Sequence, residues 1–155
     1  MYKSFGYPEF NASGEQILTT YNNEYSNMLM DIRVYKIKAD EERIFCREGE
    51  EIAILLLAGK ITYIFDEQKK TVSRKDVFTE GPWCVHVCSN TKVIVKANSD
   101  AEILVQCTKN EKRIYAIVIK LRKSDKNYCK KQKRNVRYRH RNENKTESET
   151  KKKGK

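Results

Sequence analysis

The chain has 155 residues, of which 39% are hydrophobic and 34% charged, with a formal net charge of +11. That length suits one domain, and no run approaches the roughly 18–20 apolar residues of a membrane-spanning helix. The charge is unevenly placed: residues 1–110 carry 14 Lys+Arg against 16 Asp+Glu (net −2), and residues 111–155 carry the other 18 against 5 (net +13). The folded part and the basic part therefore need separate arguments about partners.

Residues 1–27 are polar and rich in Tyr and Asn, with turn signals at Gly6, Pro8 and Gly14, and read as an irregular lead-in. The start lacks an apolar stretch and a small-residue cleavage site, so no signal peptide is expected, and Asn11-Ala12-Ser13 is a chance match to a glycosylation acceptor. From Met28 short runs of β-formers begin. Met28, Met30, Ile32 and Val34 share one face, and Asp31 and Arg33 the other. Glu51–Ala58 is apolar on both faces, as a strand covered on two sides would be, with a helix as the competing reading. Gly59 and the β-rich Lys60–Phe65 favour two strands joined by a tight turn.

Asp66–Lys70 reads as a hairpin loop, Thr71 and Val72 as a strand, and Gly81-Pro82 as a turn. Strands follow at Trp83–Cys88, Lys92–Ala97 and Ala101–Cys107. In the second, Val93, Val95 and Ala97 alternate with Lys92 and Lys96; in the third, Ala101, Ile103, Val105 and Cys107 alternate with Glu102 and Gln106. Ile114–Leu121 is one more candidate strand. Many short strands with almost no helical period predict an all-β sandwich or barrel over residues 28–121. Residues 122–155 are Lys, Arg, Asn, Glu, Thr and Ser with little else, a composition expected to stay disordered.

Several residue groups are candidates for chemistry. Cys84, His86 and Cys88 lie on one strand face, but the cysteines would be about 13 Å apart, too far to share one ion without a bend. Core or barrel-lining residues are the plainer reading. A Cys nucleophile beside His86 would be separated from it by about 6.6 Å of strand rise. Glu48, Glu50 and Glu51 form either an acid–base cluster or a solvated loop face. Trp83 either stacks on a sugar or plugs one barrel end. The five cysteines (Cys46, Cys84, Cys88, Cys107 and Cys129) are odd in number and mostly within strand-like runs, which suits reduced, buried thiols in a cytoplasmic protein.

Three stretches carry a family resemblance: Glu48–Ile61, Thr71–Trp83 (with Arg74-x-x-x-Phe78) and Val95–Cys107. Together they resemble the first half of 5-deoxy-glucuronate isomerase, an enzyme of bacterial inositol breakdown built from two cupin barrels. The resemblance runs from about Gly6 to Glu111. It implies a single cupin-like jelly-roll barrel and, for the family, aldose–ketose isomerisation of 5-deoxy-glucuronate at a divalent metal that polarises the substrate oxygens. The family's metal ligands, His-x-His with a following Glu and a distant His, belong to its second barrel. The histidines here, His86 and His140, do not match that motif, so no catalytic, cofactor or metal residue is carried over and no cofactor is expected in this chain.

The resemblance ends where the charge changes, so a truncated or frameshifted copy lacking the catalytic half is the expected origin of the basic segment. The alternative is a free-standing, non-enzymatic cupin that binds nucleic acid or another polyanion through Lys130–Asn142, with Tyr138 available for stacking. Self-association through the surface a second barrel would cover, a retained 5-deoxy-uronate ligand, and weak polyanion binding by the tail are the expected partners. No membrane contact is expected.

Overall fold

The structure is a computed structural model, and it describes residues 8–23, 25–112 and 116–120. Nine strands are present: β1 (Glu15–Thr19), β2 (Asp31–Ile37), β3 (Glu42–Phe45), β4 (Glu50–Phe65), β5 (Gln68–Arg74), β6 (Trp83–Val87), β7 (Val93–Ala97), β8 (Ala101–Lys109) and β9 (Ile117–Lys120). All pairings are antiparallel. One sheet runs β1-β2-β8-β4-β6-β9 and the other β3-β7-β4-β5. They enclose one core, with Ile52, Ile54, Val85 and Ile103 from the first meeting Tyr63, Val72, Val93 and Val95 from the second. This is the predicted all-β, jelly-roll arrangement.

The 16-residue β4 belongs to both sheets. Its first half pairs with β8 and β6, and its second half with β7 and β5. The tight turn expected at Gly59 does not exist; the chain bends there without reversing. The register slips between Leu56 and Ala58, and Gly59 follows with φ +101°. A Cβ on Gly59 would lie 2.5 Å from the carbonyl oxygen of Asp100 and under 3 Å from Ala101. The bend thus needs both the backbone freedom and the missing side chain of glycine. The true hairpin is one step later, between β4 and β5, where Asp66 and Glu67 have positive φ.

Two other expectations shift. The segment read as irregular contains β1, which pairs with β2 and carries a bulge between Ile17 and Thr19. In β2 the alternation holds, but it is Asp31, Arg33, Tyr35 and Ile37 that share the core side with the Ala101–Cys107 alternates of β8, while Ile32 and Val34 lie on the other side, where Val34 is nonetheless buried. Before β2, Ser26–Met28 form a 3-10 turn closed by Leu29 in the left-handed region, so Met28 and Leu29 are exposed. No described helix is long and apolar enough to cross a membrane. Residues 122–155, expected to be disordered, lie outside the described residues.

Arg74, in the Arg-x-x-x-Phe stretch, is buried and ties the loop after β5 to the core. Its Nη1 donates to the Leu56 carbonyl at 2.8 Å, its Nε and Nη2 to that of Glu80, and Nη2 also to that of Val77. The Asp76 carboxylate accepts from the Phe78 and Thr79 amides, which fixes the loop that presents Phe78.

Replacing Gly59 with alanine is expected to lower stability by about 2–4 kcal/mol, through overpacking and backbone strain together. Urea denaturation would show this as a fall in midpoint at unchanged slope. A midpoint equal to the parent would mean that the bend does not depend on glycine.

Candidate binding site at the barrel mouth

Sequence alternation places the metal-suggestive residues outside the barrel. Ile54 pairs with Val85 and Ile52 with Val87, so the two valines face the core. Cys84 and His86 therefore project from the outer face, half-buried, and do not line the barrel as the plainer sequence reading had them. His86 Nε2 lies 3.3 Å from Glu51 Oε2, and the Asn110 side-chain amide donates to that same oxygen at 2.8 Å. Cys88 lies just past the end of β6, its Sγ 3.5 Å from Thr91 Oγ1. Burial pushes the Cys84 thiol up to about 11, which suits packing and opposes a nucleophile's role. The four described cysteines are free thiols. Cys107 is buried, Cys84 and Cys88 half-buried, and Cys46 is exposed, contrary to expectation.

The inward polar groups gather at one barrel end. Asp31 and Arg33 are two apart on β2 and so share its inner face. Arg33 grips Asp31 with Nε (2.7 Å) and Nη2 (2.8 Å), and its Nη1 donates to Glu15 Oε1 at 2.9 Å. That oxygen also accepts from the Tyr35 hydroxyl at 2.9 Å. The Arg33 hydrogen bond holds the Glu15 carboxyl below its ordinary range, while burial and then Glu15 push the Tyr35 hydroxyl up to about 12.

Arg47, about half-exposed, reaches to 4.0 Å from Asp31 Oδ2. Cys107 lies opposite Asp31 in the ladder, and burial raises its thiol to about 11. Tyr21 donates to the Cys107 carbonyl at 3.2 Å and stacks under Lys109 Nζ, 5.4 Å from the ring centre. Burial, then the charge of Glu50, raises the Tyr21 hydroxyl to about 12.

Glu50 is only partly paired, its carboxylate lying within hydrogen-bonding influence of the Tyr21 hydroxyl. Its Oε2 is buried with no hydrogen-bond partner among the described residues. Such an acceptor is costly unless a donor reaches it. Beside it opens a cleft of about 440 Å³ lined by Glu48, Gly49, Glu50, Lys109, Asn110 and Glu111. The three glutamates thus part company: Glu48 is exposed, Glu50 faces the mouth, and Glu51 pairs on the outer face. Trp83 packs against the core at the start of β6, with Lys70 and Lys120 over its ring at 5.9 and 5.2 Å.

A divalent metal of the kind the resemblance implies does not fit these residues. No group of three or more His, Cys, Asp or Glu among the described residues could hold one. Asp31 and Glu15 are engaged by the Arg33 guanidinium, and His86 faces away from the mouth.

The family model for KduI/IolB matches residues 6–150. The chain belongs to the KduI/IolB family. The match runs past Glu111, where the sequence resemblance had been placed to end, and through most of the basic segment. Among solved structures, an IolB-like protein of Salmonella typhimurium LT2 superposes with TM-score 0.64 at 18% identity, covering 73% of this chain and 44% of that one. The protein Ylba of E. coli gives 0.55 at 13% identity, over 68% of this chain and 43% of that one. A cupin 2 domain-containing protein of Halorhodospira halophila gives 0.50 at 11% identity, over 66% and 67%. At these identities the likenesses establish the cupin fold. The KduI/IolB chain described here spans less than half the length of the IolB-like protein. No curated protein matches the sequence.

The Glu15–Arg33 pair predicts an acid response. Glu15 titrates lower in the folded chain than in the unfolded one, so its contribution is complete above the unfolded value and is lost as the pH falls through the folded value. Denaturation midpoints are expected to drop as the pH falls below the ordinary glutamate range, and Glu15→Gln to lessen that drop. Equal pH slopes in parent and variant would remove Glu15 from the account.

Proposed function

We propose that this chain is a metal-free cupin barrel serving isomerase-type sugar-acid metabolism, specifically the 5-deoxy-glucuronate step of cytoplasmic inositol catabolism. Its part is to bind at the mouth, not to isomerise. The observation behind this is the direction of His86. The family chemistry needs imidazoles converging on a metal inside a barrel, whereas His86 stands on the outer face beside Glu51.

The mouth supports a binding role. Arg47 is half-exposed and Lys109 lines the cleft, so both can meet a sugar carboxylate. Glu50 Oε2 lacks a donor that a sugar hydroxyl would supply. An anionic sugar must also pass Glu48 and Glu111, which sets the expectation of weak, millimolar-range affinity on the order of −4 kcal/mol.

Family membership favours this reading over a polyanion-binding module. The only support for the second is the +13 charge of residues 111–155, which would bind nucleic acid weakly and with strong salt dependence. A frameshift after Glu111 has the composition change in its favour and the family match through residue 150 against it. The downstream DNA, read in three frames, decides this: a His-x-His motif in a shifted frame would support it.

Incubation of the chain with 5-deoxy-glucuronate and added manganese or zinc is expected to yield no ketose, while calorimetry detects binding that Arg47→Met weakens about tenfold. Robust turnover would overturn the metal-free reading, and unchanged affinity in the variant would remove the mouth from it.

A further inference from the structure

We infer that Ser89 and Asn110 are positioning residues of the mouth: they clamp the four-residue loop between β3 and β4, residues 46–49, and so fix the main chain from which Arg47 meets a ligand carboxylate. This role rests on the binding role proposed for the mouth.

β3 ends at Phe45, opposite Val93 of β7, and beyond that pair the two chains stay side by side as loop and turn. The Asn90 amide donates to the Arg47 carbonyl at 2.9 Å, and the Gly49 amide donates to Ser89 Oγ at 2.7 Å. From the end of β8, the Asn110 amide donates to the Gly49 carbonyl at 3.0 Å. Both backbone groups of Gly49 are thereby filled, and so is the carbonyl of Arg47, on either side of Glu48. Gly49 itself has φ +71° with open space where a Cβ would stand, so the loop needs its backbone freedom and must be held from outside.

The two holders are themselves anchored. The turn that carries Ser89 closes on itself, with the Thr91 amide donating to the Cys88 carbonyl at 3.2 Å. Asn90 stands there in the left-handed region (φ +62°), which asparagine tolerates better than most residues. On the other side, Asn110 Nδ2 donates to Glu51 Oε2 at 2.8 Å, and Asn110 Oδ1 accepts from the Lys112 amide at 2.9 Å. His86 Nε2, 3.3 Å from the same Glu51 oxygen, completes this anchor. The polar trio on the outer face thus reaches the rim of the cleft through Asn110.

Arg47 depends on the clamp because its side chain is loosely held. Its Nη2 stands 4.0 Å from Asp31 Oδ2, beyond hydrogen-bonding distance, and Arg33 already grips both oxygens of that carboxylate. A half-exposed guanidinium in that position engages a ligand at least cost when its main chain is already ordered. Ser89 does not line the cleft, so its effect on a ligand passes through the loop.

Titration of the isotope-labelled full chain with 5-deoxy-glucuronate, followed by amide chemical shifts, tests this. Ser89→Ala is expected to weaken binding about three- to tenfold, the scale of one lost hydrogen bond, and to speed exchange of the Gly49 amide with water. Ser89→Thr keeps the hydroxyl and is expected to bind as the parent does. In an Arg47→Met background, Ser89→Ala should change affinity by less than about twofold, because the side chain it positions is gone. Ser99→Ala removes the same kind of contact, Ser99 Oγ to the Lys60 amide at 3.0 Å, at the end of β8 away from the mouth, and should leave affinity unchanged. Parent affinity in Ser89→Ala, a loss undiminished in the Arg47→Met background, or an equal loss in Ser99→Ala would overturn the clamp and leave the mouth as a binding site. A parent that binds no sugar acid would remove mouth and clamp together.

Discussion

The fold depends on one strand passing through a corner. Among the described strands β4 alone is hydrogen-bonded into both sheets, and it changes sheet at Gly59 against the backbone of Asp100 and Ala101. The contact joins the β7–β8 turn to the bend, so the two sheets close on each other at the point where β8 begins. Arg74 works nearby from the other side, its guanidinium spanning the Leu56 carbonyl before the bend and the Glu80 carbonyl in the loop beyond β5. A buried guanidinium without a carboxylate is stable only because several carbonyls fill its donors. The long strand, the bare glycine and the buried arginine therefore form one mechanical unit.

The same geometry separates two kinds of polar chemistry that the sequence runs together. Residues 50 and 51 are both glutamates, yet the pleat sends one to the mouth and one to the outer face. Glu51 finds His86 and Asn110; Glu50 enters a region governed by Arg33, Arg47 and Lys109. The charges of the Asp31–Arg33–Glu15 chain are paired with one another at this barrel end. Glu50 and Arg47 retain unfilled hydrogen-bonding or solvent-facing capacity, which leaves them its open side.

The parts of this design that were legible in the sequence are those where burial is one-sided. β7 and β8 announce their inner faces because Val93, Val95, Ile103 and Val105 alternate with Lys and Glu. β1 and β3 are short, and charge is frequent in Glu42–Phe45, so neither stands out from loop. β2 misleads for a physical reason: its inner face meets the barrel mouth, where Asp31 and Arg33 pair with each other, and its outer face is apolar. Opposite charges two residues apart on a strand are a usable signal of such a pair, since both then point the same way. The Gly59 bend could not be told from a turn by sequence, because both demand a residue with positive φ. The mouth as a site was not legible, since Tyr21, Asp31, Glu50 and Cys107 are brought together only by long-range pairing.

The apolar outer face links these observations. Glu51–Ala58 reads as covered on both sides, and the core covers only Ile52, Ile54 and Leu56. A strand that is apolar on both faces costs solubility unless its second face is also removed from water. Here Ala53, Leu55 and Leu57 continue into Leu104 and Val34 on one side and Cys84 and Ile119 on the other, so the feature belongs to the whole sheet. At the β2 end the face is already covered, Val34 being buried and Phe10 lying against Lys36.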